Sequence, residues 1–230
     1  PSRARNLGAR EATGEYLIIL DSDVVLPPGY LTAVDDYLEK HPVDAFGGPD
    51  AASDDFTTVQ KAINYAMTSP LTTGGIRGGS ADGMEKFKPR SFNLGCSTAL
   101  IQEAFVYHKR RVDFRKFFKQ VHNSGIARIH LETRHPGSTR LVHLLPALFT
   151  IASVIALFLW IGRLGLLALA VIFFIDAYHR AGRSVEVALL AVPACFIQLW
   201  GYGSGFLRAW WGKYILHSKE FIAFKDNFYE

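Results

Sequence analysis

The sequence runs to 230 residues, 49% of them hydrophobic, with 25 Lys and Arg against 21 Asp and Glu for a formal net charge of +4. That is long enough for one or two domains, and too apolar for a disordered or strongly charged chain. The only cysteines, Cys96 and Cys195, lie far apart, which excludes a disulfide framework and a cysteine-rich zinc site.

Charge is unevenly spread. Residues 1–105 hold 14 acids and 9 bases, residues 106–140 hold 2 acids and 9 bases, and most of the remaining chain is apolar. An acidic globular part, a basic collar and an apolar end make the pattern of a protein seated on a membrane. The basic excess adjoins apolar segments, where anionic headgroups attract it, so the net charge is no sign of a nucleic-acid partner.

The chain opens at Pro1 inside an amphipathic pattern, and residues upstream of it are expected. Residues 2–13 predict a helix with Ala4, Leu7 and Ala12 available for packing and Gly14 as its stop. The run Tyr16-Leu17-Ile18-Ile19-Leu20 predicts a buried strand that ends in Asp21-Ser22-Asp23. Ligands of open α/β sheets gather beyond the carboxyl ends of such strands, and carboxylates two residues apart point the same way on extended backbone. A hard divalent cation holding a diphosphate takes oxygen ligands of this kind. The competing reading is an Asx turn leading into Pro27-Pro28-Gly29.

Residues 30–40 predict a helix with Leu31, Val34 and Leu38 on one face, residues 43–48 a second strand, and residues 56–67 another helix. That alternation predicts a wound α/β layer. Residues 68–90 are rich in Gly, Ser and Thr; they read as a flap whose Arg77, Lys86, Lys88 and Arg90 meet phosphates, or as a solvated loop. Residues 92–100 predict a buried strand running into a helix near Ile101.

Three linked motifs carry a resemblance. Ser2-Arg3-Ala4-Arg5-Asn6-Leu7-Gly8, Ala12-Thr13-Gly14-Glu15-Tyr16 and Leu20-Asp21-Ser22-Asp23 together resemble the central block of family 2 glycosyltransferases of membrane-bound bacterial type. The resemblance implies an α/β GT-A fold, Rossmann-like and here incomplete, followed by transmembrane helices. It implies that Arg5, Asn6, Asp21 and Asp23 bind a nucleotide-sugar donor, Asp21 at the nucleoside and Asp23 at a divalent metal, Mn2+ or Mg2+, on the diphosphate. Asn93, Gly95 and Cys96 resemble the wall of the acceptor side. His108 is a further candidate metal ligand, against the ordinary alternative of a structural or exposed histidine.

The departures matter as much. Such enzymes carry about thirty more residues before Val106, including an acidic pair that supplies the catalytic base, whereas no acid lies between Glu103 and Asp113 here. The catalytic base is therefore unassigned, and residues are expected to be missing before Pro1 and between Phe105 and Val106. The competing explanation is a non-catalytic GT-A membrane protein that acts as a binding or assembly module. The Gln-x-x-Arg-Trp motif of processive polysaccharide synthases is absent, which argues against that subclass.

Residues 110–131 predict a basic amphipathic helix in the headgroup plane, with Phe114, Phe117, Phe118 and Val121 on one face and Arg115, Lys116 and Lys119 on the other. The alternative is an ordinary amphipathic helix packed on the sheet. Spans are expected at about 141–162, 163–180 and 185–207, as three crossings or as two with a re-entrant segment. Pro193 and Gly201-Tyr202-Gly203-Ser204-Gly205 offer close helix contact or a kink, Trp200, Tyr202, Trp210 and Trp211 offer interface anchors, and Asp176 is expected to be solvated.

The chain thus divides into a partial catalytic domain (1–105), the end of that domain with the basic helix (106–140), a membrane region (141–211) and a polar tail (212–230). The expected activity is inverting, hexosyltransferase-like transfer from a nucleotide sugar to a lipid-linked or glycan acceptor, in cell-surface polysaccharide or glycolipid synthesis. A multi-pass place in a bacterial inner membrane is expected, among membrane lipids and with the catalytic part cytoplasmic.

Overall fold

The computed structural model of the chain describes residues 2–20, 24–48, 50–51, 56–73, 98–101, 103–108 and 111–217. The amino-terminal part holds short elements: α1 (Ser2–Glu11), β1 (Val24–Val25), α2 (Tyr30–Lys40), β2 (Ala45–Gly47), β3 (Asp50–Ala51), α3 (Thr58–Thr68), α4 (Pro70–Thr73), β4 (Thr98–Leu100) and β5 (Val106–His108). Long helices complete the chain: α5 (Phe114–Arg134), α6 (Leu141–Phe158), α7 (Trp160–Arg180) and α8 (Val185–Tyr214).

The strands form two small sheets. One has the order β1-β5-β3, with β1 antiparallel and β3 parallel to β5; the other pairs β2 with β4 in parallel. Strands of two or three residues make too few ladder bonds to organise a wound layer, so the expected Rossmann-like sheet is not assembled among the described residues.

The expected strand at Tyr16–Leu20 shows why. Ile18 turns inward to the cluster of Tyr30, Val34, Ile101 and Ala104, while Leu17 and Ile19 on either side of it are exposed. Tyr16 donates its hydroxyl to the Val43 carbonyl at 2.9 Å and meets the Phe46 ring edge-on. The alternation of a strand is present, but no ladder joins this run to the described strands.

Three further expectations change for similar reasons. Helix α1 is exposed along its described length, and Ala4, Leu7 and Ala12 pack into no core. On α2 the buried face is Tyr30 and Val34, and Leu31 is 62% exposed, because the larger Tyr30 fills the space against Ile101 and Ala104. No helix starts at Ile101. Its N–H continues the pairing with β2 by bonding the Gly47 carbonyl at 2.9 Å, and the chain turns through buried Ala104 directly into β5. Ala104 fits only because Gly48 has no side chain: a Cβ there would fall on the Ala104 carbonyl.

Helix α3 begins where Thr57 and Gln60 cap each other, the side chain of each meeting the other's backbone N–H. Its Ala62, Ile63, Ala66 and Met67 are buried against Ala188, Ala191, Ala194 and Cys195 of α8. This helix thus leaves the small sheets and joins the apolar bundle. Helix α5 starts at Asp113, whose carboxylate accepts the Lys116 N–H at 2.7 Å, and buries Phe117, Val121, Ile126 and Ile129.

The basic helix packs on α8 and not on a sheet. Gly125 meets the backbone at Tyr202 and Phe206, Gly201 lies against Val121 and Phe118, and Gly205 lies on the His122 carbonyl. Gly203 faces the other way, onto Pro146 and Thr150 of α6. The glycine run therefore makes close contacts on two sides of one continuous helix, and α8 passes through Pro193 without ending. Arg115, Lys116, Lys119 and Phe118 remain on the exposed side of α5.

Three helices, α6, α7 and α8, are long and apolar enough to cross a membrane. At about 1.5 Å per residue they extend for roughly 27, 31 and 45 Å, against a hydrocarbon layer of about 30 Å. Leu141, Phe158, Trp160 and Ile161 stand almost fully exposed, a surface suited to lipid contact. Trp200 is a tie between helices, with its Nε1–H donated to Ser153 Oγ at 2.7 Å, whereas Trp210 and Trp211 are exposed near the end of α8.

Replacing Gly205 by Leu forces α8 off the His122 backbone, and overpacking of this kind costs about 1–3 kcal/mol. The midpoint of thermal unfolding in detergent is expected to fall for Gly205→Leu. Gly165→Leu, at a position with open space around it, is expected to leave it unchanged.

Candidate functional site

The β1-β5-β3 sheet decides which distant parts of the chain meet. In the antiparallel ladder Val24 pairs with His108 and Val25 with Tyr107. The amino end of β1, which continues from the Asp21-Ser22-Asp23 stretch, therefore lies against the carboxyl end of β5. On its other side β5 pairs Val106 with Asp50 and Tyr107 with Ala51. The backbones of residues 24, 108 and 50–51 are thus gathered in one small sheet, above the cluster of Tyr30, Val34, Ile101 and Ala104.

Of the expected site residues, Arg5, Asn6 and the His108 backbone are described. Arg5 and Asn6 lie on exposed α1. Asp21, Asp23, Asn93, Gly95 and Cys96 lie outside the described residues, as do the flap residues Arg77, Lys86, Lys88 and Arg90. His108 is described by its backbone alone. Among the described residues no group of three or more His, Cys, Asp or Glu side chains could hold a metal ion. The observation that bears on a metal is the ladder, which sets His108 opposite the residue next after Asp23. The carboxylate of Asp23 and the imidazole of His108 are donor types suited to a manganese-like ion, so these residue types fit the implied metal.

Two polar devices were not expected from the sequence. The Tyr65 hydroxyl donates to Asp176 Oδ2 at 2.6 Å, and Arg180 Nε donates to Asp176 Oδ1 at 2.9 Å. Asp176 is therefore a tie from α7 to α3 and is not simply solvated. Burial, and then the bond to Asp176, push the Tyr65 phenol well above its ordinary range. The spacing of Asp176 and Arg180 was readable as an i,i+4 pair, but nothing in the sequence joined either to Tyr65.

The second device fastens the α5–α6 loop. Glu132 accepts the N–H of Gly137 at 2.7 Å and of Thr139 at 2.6 Å, and the Ser138 hydroxyl at 3.1 Å. Arg128 donates to the Ser138 carbonyl at 3.2 Å from the preceding turn of the helix. The hydrogen bonds from Thr139 and then Gly137 hold the Glu132 carboxyl down to about 2. Nearby on α5, burial lowers the His122 imidazole, with Arg208 adding to the effect, and its Nδ1 lies 3.0 Å from Ser204 Oγ.

Between these helices lies a cavity of about 630 Å³, walled by α4, α5, α6, α7 and α8. Its lining is mostly aliphatic and aromatic, with Arg128 and His143 as its ionisable members. Gln198 also lines it, only 7% exposed, and among the described residues its Oε1 has no hydrogen-bond partner.

Residues 1–108 match the family described as Glycosyl transferase family 2. The match ends at His108, the last residue of β5, so it spans both small sheets and α3, and stops before the long helices. No curated protein and no solved structure matches the chain. The amino-terminal segment is thus similar to family 2 glycosyltransferases, which supports a role in glycosyl transfer.

The Glu132 clamp has a signed pH dependence. Its carboxyl lies below the ordinary value of 4.5 in the folded chain, so its contribution is complete above that value and is lost as pH falls toward 2. Pepsin cleavage within residues 135–140 is expected to rise across this window. Glu132→Gln is expected to be cleaved readily throughout it.

Proposed function

We propose that the chain is a membrane-associated inverting glycosyltransferase, with a GT-A catalytic part in residues 1–105 and its continuation in 106–140. It moves a sugar from a nucleotide-sugar donor to a lipid-linked or glycan acceptor in the synthesis of a cell-surface polysaccharide or glycolipid. The observation that carries this reading is the family 2 match over residues 1–108, joined in one chain to three helices apolar enough to span a membrane.

In this reading Arg5, Asn6, Asp21 and Asp23 bind the donor, and Asn93, Gly95 and Cys96 line the acceptor side. Asp23 and His108 hold Mn2+ or Mg2+, and the β1–β5 register supports pairing these two distant positions. When bound, the metal neutralises charge on the departing diphosphate. Arg5 and Asn6 shape the donor pocket, and a carboxylate base takes the acceptor's proton. The apolar helices lie in a bacterial inner membrane, as three crossings or as two with a re-entrant segment, and the exposed cations of α5 keep the catalytic part on the cytoplasmic side.

Two measurements test this reading. Metal-dependent release of nucleoside diphosphate from a nucleotide sugar is expected to fall by roughly a hundredfold or more in Asp23→Ala. Unchanged turnover would remove the donor site. Carbonate washing of membranes is expected to leave the chain in the pellet, and its release without detergent would remove the spanning helices.

A further inference from the structure

The cavity between α4 and α8 carries a ligand assignment that does not depend on glycosyl transfer. We propose that it binds one anionic amphiphile, with a phosphate headgroup at Arg128 and His143 and a hydrocarbon chain along the apolar wall toward Gln198.

The cavity has two chemically different ends. Gly125 touches α8 at Tyr202 and Phe206, and Ile129 packs with Phe206, so Arg128 stands level with this part of α8. Gln198 lies eight residues earlier, about 12 Å along the helix. At the first end the Arg128 guanidinium has one N–H on the Ser138 carbonyl and further donors for a ligand. His143 accepts the Arg140 N–H at Nδ1, which leaves Nε2 as a proton donor. His143 also sits in the first turn of α6, where the helix dipole favours an anion. Among the described residues no carboxylate lines the cavity, and the nearby Glu132 is engaged by Gly137, Ser138 and Thr139.

The rest of the wall excludes a small hydrophilic anion as the natural occupant. Phe173 and Leu199 are buried aliphatic and aromatic surface beside the cavity, and the volume of about 630 Å³ far exceeds what one phosphate fills. Gln198 marks the deep end of the cavity with a single unpartnered acceptor, in a residue only 7% exposed. An anionic head and an apolar chain are the features of a phospholipid.

The test uses the full chain purified in a neutral detergent and probed with phosphatidylglycerol, phosphatidylcholine and inorganic phosphate. Native mass spectrometry is expected to retain one phosphatidylglycerol per chain, at least tenfold in preference to phosphatidylcholine, and the unfolding midpoint is expected to rise with that lipid. Arg128→Gln is expected to abolish the preference, and Leu169→Trp, which fills the cavity, to abolish retention. If Leu169→Trp does not fold, Arg128→Gln decides alone. Equal retention of the two lipids, an equal rise in the midpoint with inorganic phosphate, or an unaltered preference in Arg128→Gln overturns the proposal.

Discussion

The small-residue faces of α8 are the constraint on which the described architecture depends. Ala188, Ala191 and Ala194 let α3 approach one half of the helix, and Gly201, Gly203 and Gly205 let α5 and α6 approach the other. Among lipid tails there is little hydrophobic gain in bringing helices together, so backbone proximity and dispersion must supply the attraction. Larger side chains on these faces would hold the neighbouring helices away. The Tyr65–Asp176, His122–Ser204 and Trp200–Ser153 contacts each join different helices only because that approach is close.

This packing connects the two parts of the chain. Helix α3 belongs to the segment with the glycosyltransferase match, yet its buried side chains lie in the core of the apolar bundle. The small sheets and the bundle are therefore linked through α3, with Asp176 as a polar fastening at that joint.

The candidate site was legible as chemistry and less so as geometry. The Asp21-Ser22-Asp23 pattern by itself suited a metal site or a turn, and the nucleotide-sugar role came only with the family resemblance that Arg5, Asn6 and the neighbouring motifs carry. His108 could be named as a candidate ligand from the sequence, but only strand register brings residue 108 opposite residue 24. Register is set by pairing between segments more than eighty residues apart, and local patterns carry no information about it. The buried tie of Tyr65 to Asp176 was hidden for the same reason.

By itself the sequence determined the elements with strong local signals. Helix α2 lies at Tyr30–Lys40 as its periodicity required, the three apolar helices lie at the long apolar stretches, and the glycines of α8 lie at contacts. Tertiary structure alone decided which faces are covered and by what. The run at Tyr16–Leu20 has the alternation of a strand and stays outside the ladders, because a strand exists only through its partners. The basic helix has the amphipathic pattern of an interfacial segment and lies along α8, because an apolar stripe specifies burial and does not specify against what.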